Sequence, residues 1–440
     1  MASVARSRST RPSEARPQAR RLPLLGSALV FAVLTVGGAA GQAIAAPTIE
    51  ILSPAGGEMW PGGVPQTITW TSANLDPAAV ISIWFWDASA GWTFVANLPR
   101  TETSYTWPVP TRPVAAGWLY VGSWVSNTYE VYTTPDGPVR ILNRSRPDLD
   151  GNGQADILWR HTSGAPYLWE MAGATVTASA YLPSVSNSWE IQGLGDLSGE
   201  GTTDILWRES ASGSTYVWEM RGATVTAGAF TEQQADATWA IQGLADFGGD
   251  GRSDILWRHS SGSLYLWEMA GATVTASASL PMVPNEWQVA DLGDFDGDLR
   301  ADILWREKAS GATYLWLMDG PIPTGHGFTD AQADTSWTLE GVGDFDGDGR
   351  TDILWRHASG VRYVWLMHEA IVASSGYLPT VDSAWTIRQL ADLNGDGRTD
   401  ILWREGVSGN TYVWLMNGLA KTAGAFTTRQ ADNSWTVQVP

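Results

Sequence analysis

From residue 147 onward the chain alternates apolar and polar positions in runs of five to eight residues, cut by Gly, Asp, Ser and Pro. Within one such stretch the runs read "SWEIQGLGD", "DILWR", "YLWEM" and "ATVTASA". Period-two alternation of β-branched and aromatic residues between turn residues predicts β-strands, and no helical period competes with it. The string "DILWR" recurs six times, at Asp156, Asp204, Asp254, Asp302, Asp352 and Asp400, in steps of 48, 50, 48, 50 and 48 residues. Odd repeats read "WRHTSG", "WRHSSG" and "WRHASG"; even repeats read "WRESASG", "WREKASG" and "WREGVSG". The true unit is therefore a 98-residue pair used three times.

Four strands in each repeat of this length predict propeller blades, a linear β-solenoid being the alternative with shorter coils. The first repeat opens at Asp148 without the "SW-x-I-Q" strand that precedes the other loops, and a surplus copy, "NSWTVQV", stands at Asn433 to Val439. If that strand completes the first blade, a ring of six closes and leaves no open sheet edges. Residues 46–143 read differently: about seven strands with Gly/Pro turns, at the spacing of a β-sandwich. The opening "SPAGGEMWPGGVPQTITW", Ser53 to Trp70, resembles that of the Ig-like modules of the Ser/Thr-rich, cell-wall-associated family. "NRSRP", Asn143 to Pro147, reads as a linker. The expected fold class is all-β: a six-bladed propeller over 144–440, closed by the C-terminal strand and preceded by an Ig-like β-sandwich.

Residues 1–45 carry six Arg and one Glu, an apolar run from Leu22 through Val36, and then "AIAAP". That order is a secretory signal peptide with cleavage expected between Ala45 and Ala46. The expected location is secreted or extracellular, at the cell surface or in the periplasm. No other run is long enough to span a membrane. There is no cysteine, so stability outside the cytoplasm rests on core burial or bound metal. Cleavage would leave 21 basic and 45 acidic side chains, net −24, which argues against nucleic acid and anionic membranes as partners.

The acid is concentrated in the loop before each "DILWR". In "DFDGDGRTD" oxygen-bearing side chains fall at positions one, three, five and nine: Asp344, Asp346, Asp348 and Asp352. With the backbone carbonyl of Arg350 at position seven, this is how a hard cation such as Ca²⁺ collects oxygens, and Mg²⁺ suits it less because it keeps its waters. The opening is like that of an EF-hand loop, but the Glu at position twelve is missing and strands flank it. The stretch "GDFDGDGRTDIL" resembles the FG-GAP/VCBS repeat, the calcium-loop repeat of integrin alpha-chain propellers and many secreted bacterial proteins.

That resemblance implies Ca²⁺ between the first and second strands of a blade. It carries over to Asp148, Asp150, Asn152, Gln154 and Asp156 in loop one. It carries over to Asp294, Asp296, Asp298, Arg300 and Asp302 in loop four, where Leu299 replaces a glycine expected at positive φ. In loop six it covers Asp392, Asn394, Asp396, Arg398 and Asp400. Loop three keeps Asp246, Asp250 and Asp254 with Gly248 at position three; loop two keeps Asp196 and Asp204, with Ser198 and Glu200 between them. These two are expected to bind weakly or not at all.

Three Trp recur per repeat and are expected to fill the cores between blades, with a subset able to rim sugar-stacking pockets. The Arg after each "ILW" (Arg160, Arg208, Arg258, Arg306, Arg356, Arg404) is expected to pair with a loop carboxylate. His161, His259 and His357 alternate with Glu209, Glu307 and Glu405 and read as turn residues. No nucleophile elbow, zinc motif or phosphate loop is present. The expected function is a binding or adhesion module for an extracellular glycan or protein; the alternative is a calcium-dependent polysaccharide lyase or hydrolase.

Overall fold

The computed structural model describes residues 46–440 apart from 63–64, 88–90, 110–113, 126–127, 143–146, 232–235, 332, 430 and 440. The signal expected at 1–45 and most of the linker lie outside the described residues. Among the described residues every regular element is a strand. Among them no helix is long and apolar enough to cross a membrane.

The N-terminal part builds two sheets. Thr48–Ser53, Pro65–Ala73 and Ser104–Pro108 form the smaller; the larger runs Met59–Pro61, Val139–Leu142, Val114–Val125, Val80–Asp87, Gly91–Pro99, with Thr128–Thr133 also on Val114–Val125. Ile68 and Trp70 of the small sheet and Ile81, Ile83, Phe85, Leu119 and Val121 of the large one share one core. Alternation explains this division, since successive side chains on a strand point to opposite faces.

Six antiparallel four-stranded sheets follow, the repeated architecture of a propeller-like fold. In the second repeat the order is Trp189–Gly195, Asp204–Glu209, Thr215–Arg221, Thr224–Phe230, and the later sheets copy it. The first sheet holds Ile157–His161, Pro166–Ala172 and Thr175–Tyr181, and its fourth strand is Trp435–Gln438, pairing Leu158 with Gln438 and His161 with Trp435. The surplus strand thus takes the place that the sequence leaves open.

Neighbouring sheets are joined through the acidic loops. The position-one carbonyl of one loop accepts from the residue before the next repeat's "DILWR" Asp: Thr203 N on Asp148 O at 2.7 Å, then Ser253 on Asp196, Ala301 on Asp246, Thr351 on Asp294 and Thr399 on Asp344. The sixth bond runs from Ala155 N to Asp392 O at 2.7 Å, linking the last repeat to the first. Between sheets lie apolar layers; Leu149, Leu158 and Leu168, for example, pack on Ile205, Trp207 and Met220. The "ILW" tryptophans Trp159, Trp207, Trp257, Trp305, Trp355 and Trp403 are all among the largest fully buried side chains. Core packing is thus the role of this Trp set.

Candidate metal centre

Each acidic loop after the first connects the inner strand of a sheet to the second strand, the first leading into Ile157–His161 while its inner strand comes from Trp435–Gln438, and in all six two carboxylates hold the loop together. At position one the side chain accepts from the amides of positions four and six. Asp344 takes Gly347 N at 2.6 Å and Gly349 N at 2.9 Å. Asp148, Asp196, Asp246, Asp294 and Asp392 repeat the pattern. Such folding demands left-handed backbone at both donors: φ is +80° at Gly347 and +83° at Gly349. Leu299 adopts the same conformation at +73°, so loop four holds a strained non-glycine residue where the other loops use Gly.

At position nine, the Asp of "DILWR" bridges two elements. Asp352 Oδ2 accepts from Phe345 N and Oδ1 from Met367 N on the third strand, both at 2.8 Å. The equivalent bond to a third-strand Met amide is made by Asp156, Asp204, Asp254, Asp302 and Asp400. This amide-capping role was not visible in the ligand pattern, although the invariance of position nine across all six repeats, including loops two and three, was its signal. Buried backbone amides need an acceptor, and these carboxylates supply it.

Positions three and five differ among loops, and they decide how many carboxylates converge. Ligand atoms of Asp148, Asp150 and Asp156 lie within 4.8 Å of one another, as do those of Asp294, Asp296 and Asp302, and those of Asp344, Asp346 and Asp348. Among the described residues no such carboxyl group of three forms in loops two, three or six. Loop six has Asn394 at position three, whose amide donates to Asp396 at 3.1 Å. In loop one Asn152 donates to Asp150 at 2.9 Å. In loop three Gly248 leaves position three bare. In loop two Ser198 and Glu200 stand at positions three and five.

Gathering carboxylates out of water is costly, and their acidities record it. Burial, reinforced by neighbouring carboxylates and opposed by the amide hydrogen bonds, pushes Asp302, Asp352 and Asp400 up to about 8. Asp294 and Asp344 rise to about 7 for the same reasons. Burial and then Asp150 push Asp156 well above the ordinary range. Asp204 and Asp254 in the poorer loops also reach about 7, burial again leading. A hard divalent cation held by oxygens alone would relieve this cost, and the donor set fits one.

The position-seven arginines supply part of the counter-charge themselves. Arg252, Arg300, Arg350 and Arg398 approach the position-five carboxylates Asp250, Asp298, Asp348 and Asp396 at 3.0, 3.2, 3.2 and 3.7 Å. Arg398 Nε also donates to Asp346 O of the preceding loop at 3.2 Å.

The arginines after "ILW" do not pair with loop carboxylates. They lie toward the other end of the sheet, where the guanidinium stacks on the buried Trp of the next sheet. Arg160 lies over Trp207, Arg208 over Trp257, Arg258 over Trp305, Arg306 over Trp355 and Arg404 over Trp159, at 4.7 to 5.4 Å. Stacking wins because the guanidinium face is weakly hydrated and the ring offers a partner where no loop carboxylate reaches. In the fifth repeat Arg362, not Arg356, covers Trp403 at 4.5 Å and is held by Glu340 at 2.7 Å. Arg356 is left with Glu340 at 3.8 Å.

At this end the alternating residues cap the turn between strands two and three. His161 Nδ1 lies 2.7 Å from Ser163 Oγ, and Glu209 Oε2 accepts from Ser212 N at 2.6 Å. Beside them each sheet opens an aromatic cluster: Trp435, Tyr167 and Tyr181 in the first repeat, Trp189, Tyr216 and Phe230 in the second. The fourth, fifth and sixth repeats match these, while the third places Ser279 opposite Tyr265. Odd repeats add the imidazole, with His161, His259 and His357 at 4.8 to 5.0 Å from their Trp rings.

The FG-GAP-like repeat family matches residues 246–305, 294–355 and 344–403, so the chain carries FG-GAP-like repeats over its third to sixth loops. No curated protein matches the sequence. Among solved structures, a quinoprotein alcohol dehydrogenase-like protein of Bacteroides thetaiotaomicron is 10% identical, covering 88% of this chain and 99% of its own, with a TM-score of 0.33. Raptor of Chaetomium thermophilum is 10% identical over 62% of this chain and 22% of its own, at 0.35. An oligogalacturonate lyase of Vibrio parahaemolyticus is 8% identical over 54% and 77%, at 0.29. Likenesses this distant carry no argument about activity.

Proposed function

We propose that residues 144–440 form a closed, six-bladed, calcium-locked propeller that acts as a secreted or cell-surface binding module for an extracellular glycan or protein ligand, and that residues 46–143 are an Ig-like β-sandwich. Supporting the ring are the six loop-to-loop hydrogen bonds that return from Asp392 to Ala155. Supporting the metal are the three convergent carboxylate groups and the raised pKa of Asp156, Asp294, Asp302 and Asp344 among their members. Ca²⁺ would be held by Asp148, Asp150 and Asp156, by Asp294, Asp296 and Asp302, and by Asp344, Asp346 and Asp348, with Asp392, Asn394, Asp396 and Asp400 as a fourth set. There it would supply charge neutralisation and fix the loops that join the sheets.

One observation carries the binding reading. The aromatic clusters recur from sheet to sheet at the end away from the acidic loops, and each outer ring is open: Tyr181, Phe230, Phe328, Tyr377 and Phe426 are all exposed. Repetition suits multivalent binding, which multiplies weak sites; catalysis would call for one constellation unlike the rest. FG-GAP repeats are typical of extracellular proteins, which agrees with the signal expected at 1–45. The net charge of −24 expected after cleavage disfavours nucleic acid. A glycan array read with Ca²⁺ and with EGTA tests the proposal. Binding without turnover that weakens in EGTA supports it, whereas release of unsaturated sugars from a polysaccharide would replace it with a lyase.

A further inference from the structure

Loop four departs from the other five at two main-chain positions. At position six Leu299 stands at φ +73°, where the other loops place Gly153, Gly201, Gly251, Gly349 and Gly397. The second position lies in the hairpin of the following sheet that bonds to the loop. Glu369 N donates to Phe295 O at 2.9 Å, as Gly320 N does to Phe247 O and Gly418 N to Phe345 O. Glycine holds that hairpin position in the other sheets, whereas Glu369 takes it at φ +55°. Two side chains are thus kept in left-handed backbone at one loop, and such strain marks a place with a task beyond folding. They bring a buried apolar group, Leu299 being 8% exposed, and a further carboxylate. Burial first, then Asp298 and Glu369, hold the Asp296 carboxyl above its ordinary range. The loop's own Arg300 is divided between Asp298 at 3.2 Å and Asp319 at 3.3 Å. Loop four is therefore short of positive charge.

A cation from outside the propeller reaches it. Arg140, on Val139–Leu142 of the larger N-terminal sheet, donates from Nη2 to Gly297 O at position four of loop four. A guanidinium on a carbonyl makes a charge-assisted hydrogen bond. Arg140 also stands eight residues ahead of Asp148, which opens loop one. On the six-sheet ring proposed above, loop four lies three sheets from loop one in either direction, on the opposite side. A tether of this length spans at most about 29 Å. Sheets packed about 10 Å apart put six inner strands on a circle roughly 20 Å across. Three more strand spacings of about 4.8 Å on either side make the rim about 50 Å across, so a path half-way round it is about 75 Å long. The tether is too short for the rim, and it reaches loop four by crossing the end of the ring that carries the loops.

We infer, resting on the closed ring of the proposed function, that the N-terminal sheets cap the loop-bearing end of that ring. They span its central opening from loop one, where the chain tethers them, to loop four, where Arg140 holds them. With the loop end covered, ligand meets the ring from the opposite end, where the aromatic clusters lie.

The chain has no cysteine, so introduced pairs can be spin-labelled without background. Asp136→Cys, exposed just before Val139–Leu142, and His368→Cys, exposed beside Glu369, report the N-terminal sheet against loop four in the full mature chain. Thr175→Cys and Arg429→Cys flank the 3.0 Å bond from Thr428 N to Ala174 O and report the seam between the last sheet and the first. Double electron–electron resonance should give one narrow distance for each pair. Arg140→Ala should shift the docked-to-free ratio of the first pair by roughly tenfold or more, the loss of one hydrogen bond from a charged group, and leave the seam distance unchanged. A broad first distribution in the parent, or one that Arg140→Ala leaves just as narrow, overturns the cap while a short seam distance keeps the ring standing. A long seam distance removes ring and cap together.

Discussion

Asp352→Ala separates the amide-capping job of the acidic loop from its proposed metal-binding one. The Asp352 carboxylate is 1% exposed and accepts from Phe345 N and Met367 N, each at 2.8 Å. Alanine leaves both amides buried without an acceptor. An orphaned buried donor costs about 1–3 kcal/mol, so the pair should cost about 2–6 kcal/mol. Against a typical total of about 5–15 kcal/mol this is a large fraction of stability. It should lower the melting temperature by roughly 5–15 °C for a domain of this size. Because the loss concerns backbone amides, it should persist in full in EGTA. Asp352→Asn keeps one acceptor oxygen and should cost about half as much. By contrast, Asp346 holds only the amide of Asp348, at 3.2 Å. Asp346→Asn should therefore stay within about 0.5 kcal/mol of the parent in EGTA and lose part of the Ca²⁺-dependent gain. Urea denaturation with and without Ca²⁺ measures both. If Asp352→Ala in EGTA unfolds at the parent's midpoint, the amide-capping role assigned to position nine is wrong.

Three further outcomes are expected. In the metal-free protein Asp302, Asp352 and Asp400 sit near 8 and Asp294 and Asp344 near 7, above an unfolded value of about 3.9. Their protonated forms therefore favour the fold, and that contribution is lost as pH climbs from about 4 through 8; in EGTA the melting temperature should be higher at pH 5.5 than at pH 8, with Ca²⁺ reversing the order, and a flat EGTA profile would contradict it. Arg362→Gln should destabilise by about 1–3 kcal/mol, since it removes the stacking on Trp403 and the bond to Glu340, while Arg356→Gln stays within about 0.5 kcal/mol; equal midpoints in urea would refute the exchange of roles. Gly347→Ala should cost about 1–2 kcal/mol in either buffer because φ at this position is +80°, and an unchanged melt would show that the loop can refold around a side chain.

Strand order, repeat boundaries and the partner of the surplus strand were legible because period-two patterning and exact repetition are sequence properties. The acidic loops were legible too, since Asp, Asn and Gly at fixed offsets specify such a turn whatever surrounds it. Contacts between repeats were not. Arg306 and Trp355 stand 49 residues apart, and nothing local says that a cation will choose a ring over a carboxylate. Arg362, the cross-strand partner of Arg356, takes its place over Trp403, a choice that only the packed neighbours determine. The aromatic face of the N-terminal sheet was written openly in "WFW", "WTF" and "WLY" at alternate positions. Which way those rings face follows only once Ile81, Ile83 and Leu119 are seen to occupy the core.

The six loops also show how the fold can keep repeats that have lost ligands. Loops two and three lack a carboxylate at position three, yet Asp196 and Asp204, Asp246 and Asp254 still make the full set of amide bonds. Their position-one carbonyls still hold the next sheet. The side chains at positions one and nine are therefore tied to the architecture, since they fold the loop whose main-chain carbonyl holds the next sheet. Positions three and five touch little but each other and the position-seven Arg, so they are free to vary with the need for metal. On the proposal that the loops hold Ca²⁺, the need for it can vary loop by loop without altering the sheets that present the aromatic clusters.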